Sequence, residues 1–412
     1  MDVKIIIKIL LIAFIISTTN AQTIWNGTMS TDWYNESESE FIITTAEQLA
    51  GLAKLSNEEN NFEGKTIKLG NDIMLNDTTN WKNWGISPPT NIWTSISTLS
   101  DFNSFFKGTF DGNGKIISGL YSSQRGLFSS IHSEGVIKNL GIIASCIESI
   151  TYRLNIGLLA SGNFGTISNC FVAGKVSGLG GLIGGLSGFN SGTIINSYSM
   201  VNVINNVESG VTSGGTTGGF IGTNSGSIIS CYSVGEVVVP TGRTIGGFVG
   251  GNVIGDVLIN NSYYNKETSG QSDDNGRGAP KTTMEMKQKN TYVDWNFNDV
   301  WAIDPTKNNG YPYLRIFENS GNTSVHNIKT KNNTPFELIG IKNGQMNLNL
   351  KSGNYTAEFY NLQGRMISRI NINAMNGITS VNLKKHNLSK GIFILNIKHA
   401  GISVFKHKII VN

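Results

Sequence analysis

The chain has 412 residues, a net charge of +4, only 15% charged residues and 49 glycines. That length allows two or three domains, and low charge with abundant glycine suits a glycine-cornered β-solenoid better than an average enzyme. The lysine-rich stretches lie in the tail rather than in the body, which argues against a nucleic-acid partner.

Met1 to Ala21 reads as a secretory signal peptide. Lys4 and Lys8 supply the positive start, Ile9 to Ile16 the apolar core, and Thr19-Asn20-Ala21 a small-residue cleavage site. The apolar run is too short for an anchor helix and no second one follows, so no transmembrane segment is expected in the mature chain.

Residues 22–104 read as an N-terminal cap with the first coils. Thr45-Ala-Glu-Gln48 has a capping-box pattern, and Leu49, Leu52, Ala53 and Leu55 follow at helical spacing, which predicts a helix near Thr45 to Glu58. A solenoid needs such a lid, because an open end coil exposes unpaired strand edges. Lys65 to Ile73 reads as the first strand and turn of a coil. Trp25, Trp33, Trp81, Trp84 and Trp93 precede the repeats, and Trp295 and Trp301 follow them. Packing within the caps is the favoured role for these indoles, over a sugar-stacking platform on Trp81, Trp84 and Trp93.

Residues 105–265 repeat one pattern. Copies begin at Gly157, Gly181, Gly219 and Gly247, and a core Gly-x-Ile-x-(Asn/Ser) recurs at Gly114, Gly135, Gly165, Gly192 and Gly226, with a loosened copy from Gly255 to Asn261. The core keeps its length while its spacing drifts, so the core is a rung and the drift is loop length. Each repeat holds short β-type runs broken by Gly and Ser, as in Leu182-Ile183, Thr193-Ile194-Ile195 and Tyr198 to Val203. This describes one triangular coil of a right-handed parallel β-helix, with coils stacked about 4.8 Å apart.

Stacking makes columns. Ile116, Ile137, Ile167, Ile194 and Ile228 are expected to form an interior column, and Asn139, Asn169 and Asn196 a second one at a corner. Phe171, Tyr198, Tyr232 and Tyr263 form a third. Period-two alternation turns these rings inward, against the alternative of a sugar-binding stripe. Cys146, Cys170 and Cys231 are an odd count for a secreted chain. Cys170 and Cys231 occupy equivalent slots two coils apart, roughly 9–10 Å, beyond the disulfide reach of about 7 Å. Buried free thiols are expected.

The recurring GG-[LF]-[IV]-G…G-[ST]-I-x-[NS]-[CS]-Y pattern over residues 105–265 resembles the GLUG-motif repeats of bacterial surface and secreted β-helices. TAEQLAGLAKL…FEGKTIKLGNDI and FKGTFDGNGKIISGLY are similar to blocks of the same family. The resemblance implies a fold and a cell-surface context, not a reaction.

Residues 266–317 read as the closing segment. Asp273 and Asp274 lie in its polar loop without a calcium-loop series, and Thr282-Thr-Met-Glu285 looks like a helix start. Residues 318–334 form a polar linker. In residues 335–412, alternating runs at Ala357 to Tyr360, Met366 to Ile370, Ile392 to Ile397 and Val404 to Val411 predict a small antiparallel β-sandwich. Phe359-Tyr-Asn-Leu-Gln-Gly364-Arg365-Met, Leu388-Ser-Lys-Gly391-Ile-Phe393-Ile-Leu and the terminal Lys408-Ile-Ile resemble the C-terminal sorting domain of type IX secretion cargo. This implies export across the outer membrane by that machinery, usually followed by removal of the tail and attachment to the surface.

No nucleophile elbow, His-Glu-x-x-His or Walker loop is present. Of His132, His326, His386, His399 and His407, four fall in the linker or tail. The repeat zone offers Lys175, Glu208, Glu236, Arg243 and Asp256, which do not recur at one rung position. No catalytic, cofactor-binding or metal-ligating residue is therefore assigned, and the binding residues stay unknown. The reading is a non-catalytic β-helix at the extracellular or outer-membrane surface, serving adhesion or glycan contact. Its expected partners are a glycan, host or matrix surface and, through the tail, the secretion machinery. The rivals are a polysaccharide lyase or glycoside hydrolase using Asp256, Asp273 or Asp274 as acids, and a purely structural surface protein.

Overall fold

One residue at each corner decides which side chains enter the shaft. In the computed structural model, Asn139, Asn169, Asn196, Ser230 and Asn261 all take the left-handed conformation, with φ between 45° and 56°. Asparagine tolerates that region better than other residues with a Cβ. Each ends a strand of one face and swings the chain onto the next. The structure describes residues 23–318 and 336–411, apart from 99–100, 208–214, 240–243, 253–256, 273–276 and turn positions of the C-terminal unit (343–344, 351, 362–364, 376, 387, 389–390 and 400–401). The signal-peptide segment lies outside them.

The chain divides into two units, Met1–Val325 and His326–Asn412. The first is a parallel β-solenoid of about seven turns. On its first face the strands Glu40–Ile43, Thr66–Leu69, Thr109–Ser118, Val136–Tyr152, Thr166–Ser168, Thr193–Ile195, Ser227–Ile229 and Leu258–Asn260 pair in parallel succession. Two of these, Thr109–Ser118 and Val136–Tyr152, run on round the corner into the second face. That face continues through Phe171–Leu179, Tyr198–Asn205, Tyr232–Ser233 and Tyr263–Asn265. The third face stacks Phe128–Ile131, Ala160–Asn163, Ser187–Asn190, Ile221–Asn224 and Val249–Asn252.

The interior column is Phe41, Ile67, Phe110, Ile137, Ile167, Ile194, Ile228 and Ile259, paired rung to rung. Ile137, Ile167, Ile194 and Ile228 have no exposed surface, and burying each contributes roughly 1.5–3 kcal/mol. Ile116, expected in this column, is not part of it. It pairs with Gly141 on the second face, and the Gly108-Thr-Phe110 triplet fills the rung that the Gly114-Lys-Ile116 triplet resembles. The rung glycine there is Gly108.

The aromatic column is real but its direction is the reverse of expectation. Phe171 pairs with Tyr198, Tyr198 with Tyr232 and Tyr232 with Tyr263. After the left-handed Asn169, Cys170 points into the shaft and Phe171 points away from it, because the corner residue resets the alternation by one. Gly141 makes room below. A Cβ there would lie 2.5 Å from the Phe171 ring. The rings escape solvent because the closing segment lies over them. Met286, Tyr292, Trp295, Trp301, Tyr311, Leu314 and Phe317 pack with the column into a second core. That segment contains the expected helix turn, Thr283–Met286, capped reciprocally by Thr282 and Glu285.

The N-terminal helix is Ala46–Asn57, with Thr45 as N-cap accepting from the Gln48 amide. The Gln48 side chain reaches back to Thr44 rather than to the cap residue itself. Leu49, Leu52 and Ala53 face the first coils. The helix is a minor element beside the strands.

The C-terminal unit is antiparallel. One sheet joins Phe336–Lys342, Gln345–Leu350 and Gly377–Asn382. The other joins Met366–Ala374, Gly353–Tyr360, Gly391–His399 and Ile402–Val411. Met346, Leu348, Tyr355, Phe359, Ile372 and Leu395 lie in its own core.

Candidate functional site

Most of the chemistry-bearing residues of the shaft are spent on structure. Trp84 and Trp93 are 3% exposed, and Trp93 meets Trp25 edge-on at 6.0 Å. Trp84 meets Tyr121 edge-on at 5.9 Å. The indoles thus pack the cap rather than forming an open platform. Cys146, Cys170 and Cys231 are free and buried. Burial pushes the Cys146 and Cys170 thiols up to about 12, and the Cys231 thiol higher still, so none is a nucleophile at neutral pH. Cys146 sits apart from the other two, on the wall with Trp84 and Tyr121. Its neighbour Glu148 is held in an ion pair by Lys175.

Two amide ladders run along the coils. Asn169 Nδ2 donates to Asn139 Oδ1 at 3.2 Å, and Asn139 Nδ2 to Asp111 Oδ1 at 3.0 Å. The second was not anticipated. Asn163 Nδ2 donates to Asn190 Oδ1, and Asn190 Nδ2 to Asn224 Oδ1, both at 2.7 Å and fully buried. The Gly-x-Asn pattern before each rung glycine carried that signal in Gly188-Phe-Asn190 and Gly222-Thr-Asn224.

Glu236 is exposed on the second face. Glu208, Arg243, Asp256, Asp273 and Asp274, which include the acids of the hydrolytic alternative, lie outside the described residues. Among the described residues no group of three or more His, Cys, Asp or Glu side chains is placed to hold a metal ion.

What the third face does present is an aromatic groove. It has a volume of about 350 Å³ and is lined by Phe105, Phe164 and Phe189 together with Arg125, Ser130, Arg153, Leu154, Asn155, Ser161 and Gly162. Phe105 and Phe164 lie 5.8 Å apart with planes 30° from parallel, and Phe164 and Phe189 lie 5.7 Å apart. All three rings are partly exposed. Phe102, 43% exposed, extends the row by an edge contact to Phe164 at 5.4 Å. The floor is Gly162, set between Ser130 and Phe189 on neighbouring strands. A Cβ there would come 3.3 Å from the Phe164 ring, so the missing side chain is what leaves the hollow.

Arg125 and Arg153 reach the same groove from corner turns. Arg125 Nη1 donates to Ser129 Oγ, and burial alone lowers its pKa from the usual value. Arg153 lies over the Tyr152 ring at 5.8 Å. Among the described residues no carboxylate lines the groove.

Sequence reasoning missed this row because it searched for residues that recur. Phe164 stands where the later rungs have Ser191 and Ser225. Phe189 stands where neighbouring rungs have Gly162, Thr223 and Gly251. The usable signal was departure from the repeat.

The comparisons fit the architecture. Over 157 residues the chain is 32% identical to a "Putative Gly-rich membrane protein" of Evansella cellulosilytica, which takes in 37% of this chain and 14% of that one. Over 170 residues it is 28% identical to Halomucin of Haloquadratum walsbyi, 39% of this chain and 2% of the relative. The chain thus spans a small part of the length of both relatives. A crystal structure from Bacteroides ovatus described as a "putative immunoglobulin A1 protease" superimposes with a TM-score of 0.50 at 20% identity, covering 68% of this chain and 94% of that one. At that identity the likeness concerns the solenoid fold. No helix among the described residues is long and apolar enough to cross a membrane. Residues 342–412 match the secretion system C-terminal sorting domain, so the chain ends in a type IX sorting domain, which engages that secretion machinery and directs the protein to the cell surface or the extracellular space.

Proposed function

We propose that this exported solenoid is a glycan-contact module, serving adhesion at or beyond the cell surface. The observation that carries the reading is the row Phe105, Phe164, Phe189, three partly exposed rings on adjoining segments above a floor kept open by Gly162. Burying rings has to be bought with contacts, as the Phe171–Tyr263 column shows by its cover. Rings left open at a regular interval instead suit the apolar faces of successive sugar rings. The sorting domain supports the reading by placing the module where glycans are met.

The test is a glycan array, followed by titration, with the full mature chain and with Phe164→Ala. Binding that weakens in the variant supports the reading. Failure to bind any glycan, with the protein folded, counts against it.

A further inference from the structure

The groove has a sign as well as a shape. Among the described residues that line it, two are arginines and none is acidic. Arg125 is partly buried, and its recorded side-chain partner is the neutral Ser129 hydroxyl. A guanidinium removed from water without a counter-charge is poorly compensated, and an arriving anion would restore what burial took away. Ser161, which also lines the groove, has a buried hydroxyl oxygen with no hydrogen-bond partner. Rings on one side and cations at the corner are two independent features lining one hollow.

We infer that the groove selects an anionic polysaccharide, its carboxylates or sulfates meeting Arg125 and Arg153 while its sugar faces lie on Phe105, Phe164 and Phe189. This rests on the glycan-contact reading and adds charge selectivity to it. A planar guanidinium grips a carboxylate or a sulfate through paired N–H donors, which a neutral glycan cannot use. Stacking alone would not distinguish charged from neutral polymers. Charge alone would not distinguish a polysaccharide from any other polyanion.

The full mature chain is titrated by calorimetry with polygalacturonate, a sulfated polysaccharide, neutral dextran and polyglutamate, at low and at physiological salt. The two acidic polysaccharides separate carboxylate from sulfate as the anion. The variants are Arg153→Ala, Arg125→Gln and Phe164→Ala, each checked by thermal unfolding. Arg153 is the more exposed of the two arginines, and Arg125 also bonds Ser129, so both variants are read only where the unfolding transition is unchanged. At least one acidic polysaccharide should bind more tightly than dextran. Each arginine change should weaken it roughly tenfold, the loss of one charge-assisted contact, with the advantage over dextran shrinking as salt rises. Dextran binding as tightly, with both arginine variants unchanged, would refute charge selection and leave glycan contact standing. Polyglutamate binding equally well, with Phe164→Ala unchanged, would refute a sugar site altogether. No binding to any polymer would refute both.

Discussion

Tyr198 and Tyr232 stack 4.8 Å apart with ring planes 5° from parallel, and both face away from the shaft. The two rungs beneath them therefore depend on the closing segment to keep that column dry. Tyr232 Oη donates to the Pro312 carbonyl at 2.6 Å and accepts from Asn308 Nδ2 at 2.8 Å, fastening the cover. Tyr232→Phe should leave the fold intact but loosen residues 282–317 by only about 0.5–1.5 kcal/mol, because Asn308 Nδ2 still donates to the Pro312 carbonyl at 2.7 Å. Limited proteolysis reads this as faster cutting within the segment, with the solenoid fragment persisting.

The interior column predicts a larger effect from a smaller-looking change. Ile194 pairs with Ile167 below and Ile228 above and has no exposed surface. Ile194→Ala should cost about 2–5 kcal/mol, since the neighbouring rungs are tied by their ladders and cannot collapse into the gap. Ile116→Ala, outside that column, should instead loosen the contact with the aromatic second core. Denaturant unfolding followed by tryptophan emission compares the two.

The helical cap has one position where a methyl group is too large. A Cβ on Gly51 would fall 1.8 Å from the Ser30 carbonyl oxygen, where the incoming segment crosses the helix and the Ser30 amide donates to Glu47 O at 2.9 Å. Gly51→Ala gains helix propensity but must displace that backbone, so it should destabilise by about 1–3 kcal/mol. A variant as stable as the parent would show that the crossing is not tight.

The thiols should be silent in the native protein. Burial holds Cys146 and Cys170 at about 12 and Cys231 above that, so titration with a thiol reagent near pH 8 should label none until the chain is unfolded, and then all three. Ready native labelling of Cys170 or Cys231 would contradict their placement inside the shaft.

In the C-terminal unit, Glu358 is 2% exposed and is held at about 2 by the Tyr360 hydroxyl first, with Lys398 and Arg369 adding to it. A carboxyl lowered on folding contributes stability that is present above its unfolded pKa, near the ordinary glutamate value of 4.5, and is lost as pH falls from there toward 2. Glu358→Gln should therefore reduce the protection of the strand Gly353–Tyr360 at pH 7 and flatten its loss between pH 4.5 and 2. Hydrogen exchange of peptides from that strand reports on this unit, because all seven tryptophans lie elsewhere.

The coil was legible because like residues recur, and recurrence is what stacking requires. Asn139, Asn169 and Asn196 marked the corners, and Ile137, Ile167, Ile194 and Ile228 the core. Two failures share one cause. The Gly114-Lys-Ile116 triplet mimics a rung by composition, while Gly108-Thr-Phe110 occupies it with a different apolar residue. The Phe171–Tyr263 column was turned inward by counting alternate residues straight through a corner where the backbone reverses hand. Local pattern does not reveal that a left-handed residue shifts the parity, nor that a segment after the last coil returns to cover the rings. The groove escaped for the opposite reason. Phe105, Phe164 and Phe189 belong to no repeat position, and Arg125 and Arg153 come from corner turns, so only the fold brings them together.

The most direct measurement of the central claim is the affinity of the mature protein for its best array glycan, compared across wild type, Phe164→Ala with Phe189→Ala, and Tyr198→Ala. The account predicts that the exposed pair is lost to binding with the unfolding transition unchanged, whereas Tyr198→Ala destabilises the shaft without touching affinity in whatever fraction remains folded. Binding that survives removal of Phe164 and Phe189 would contradict it.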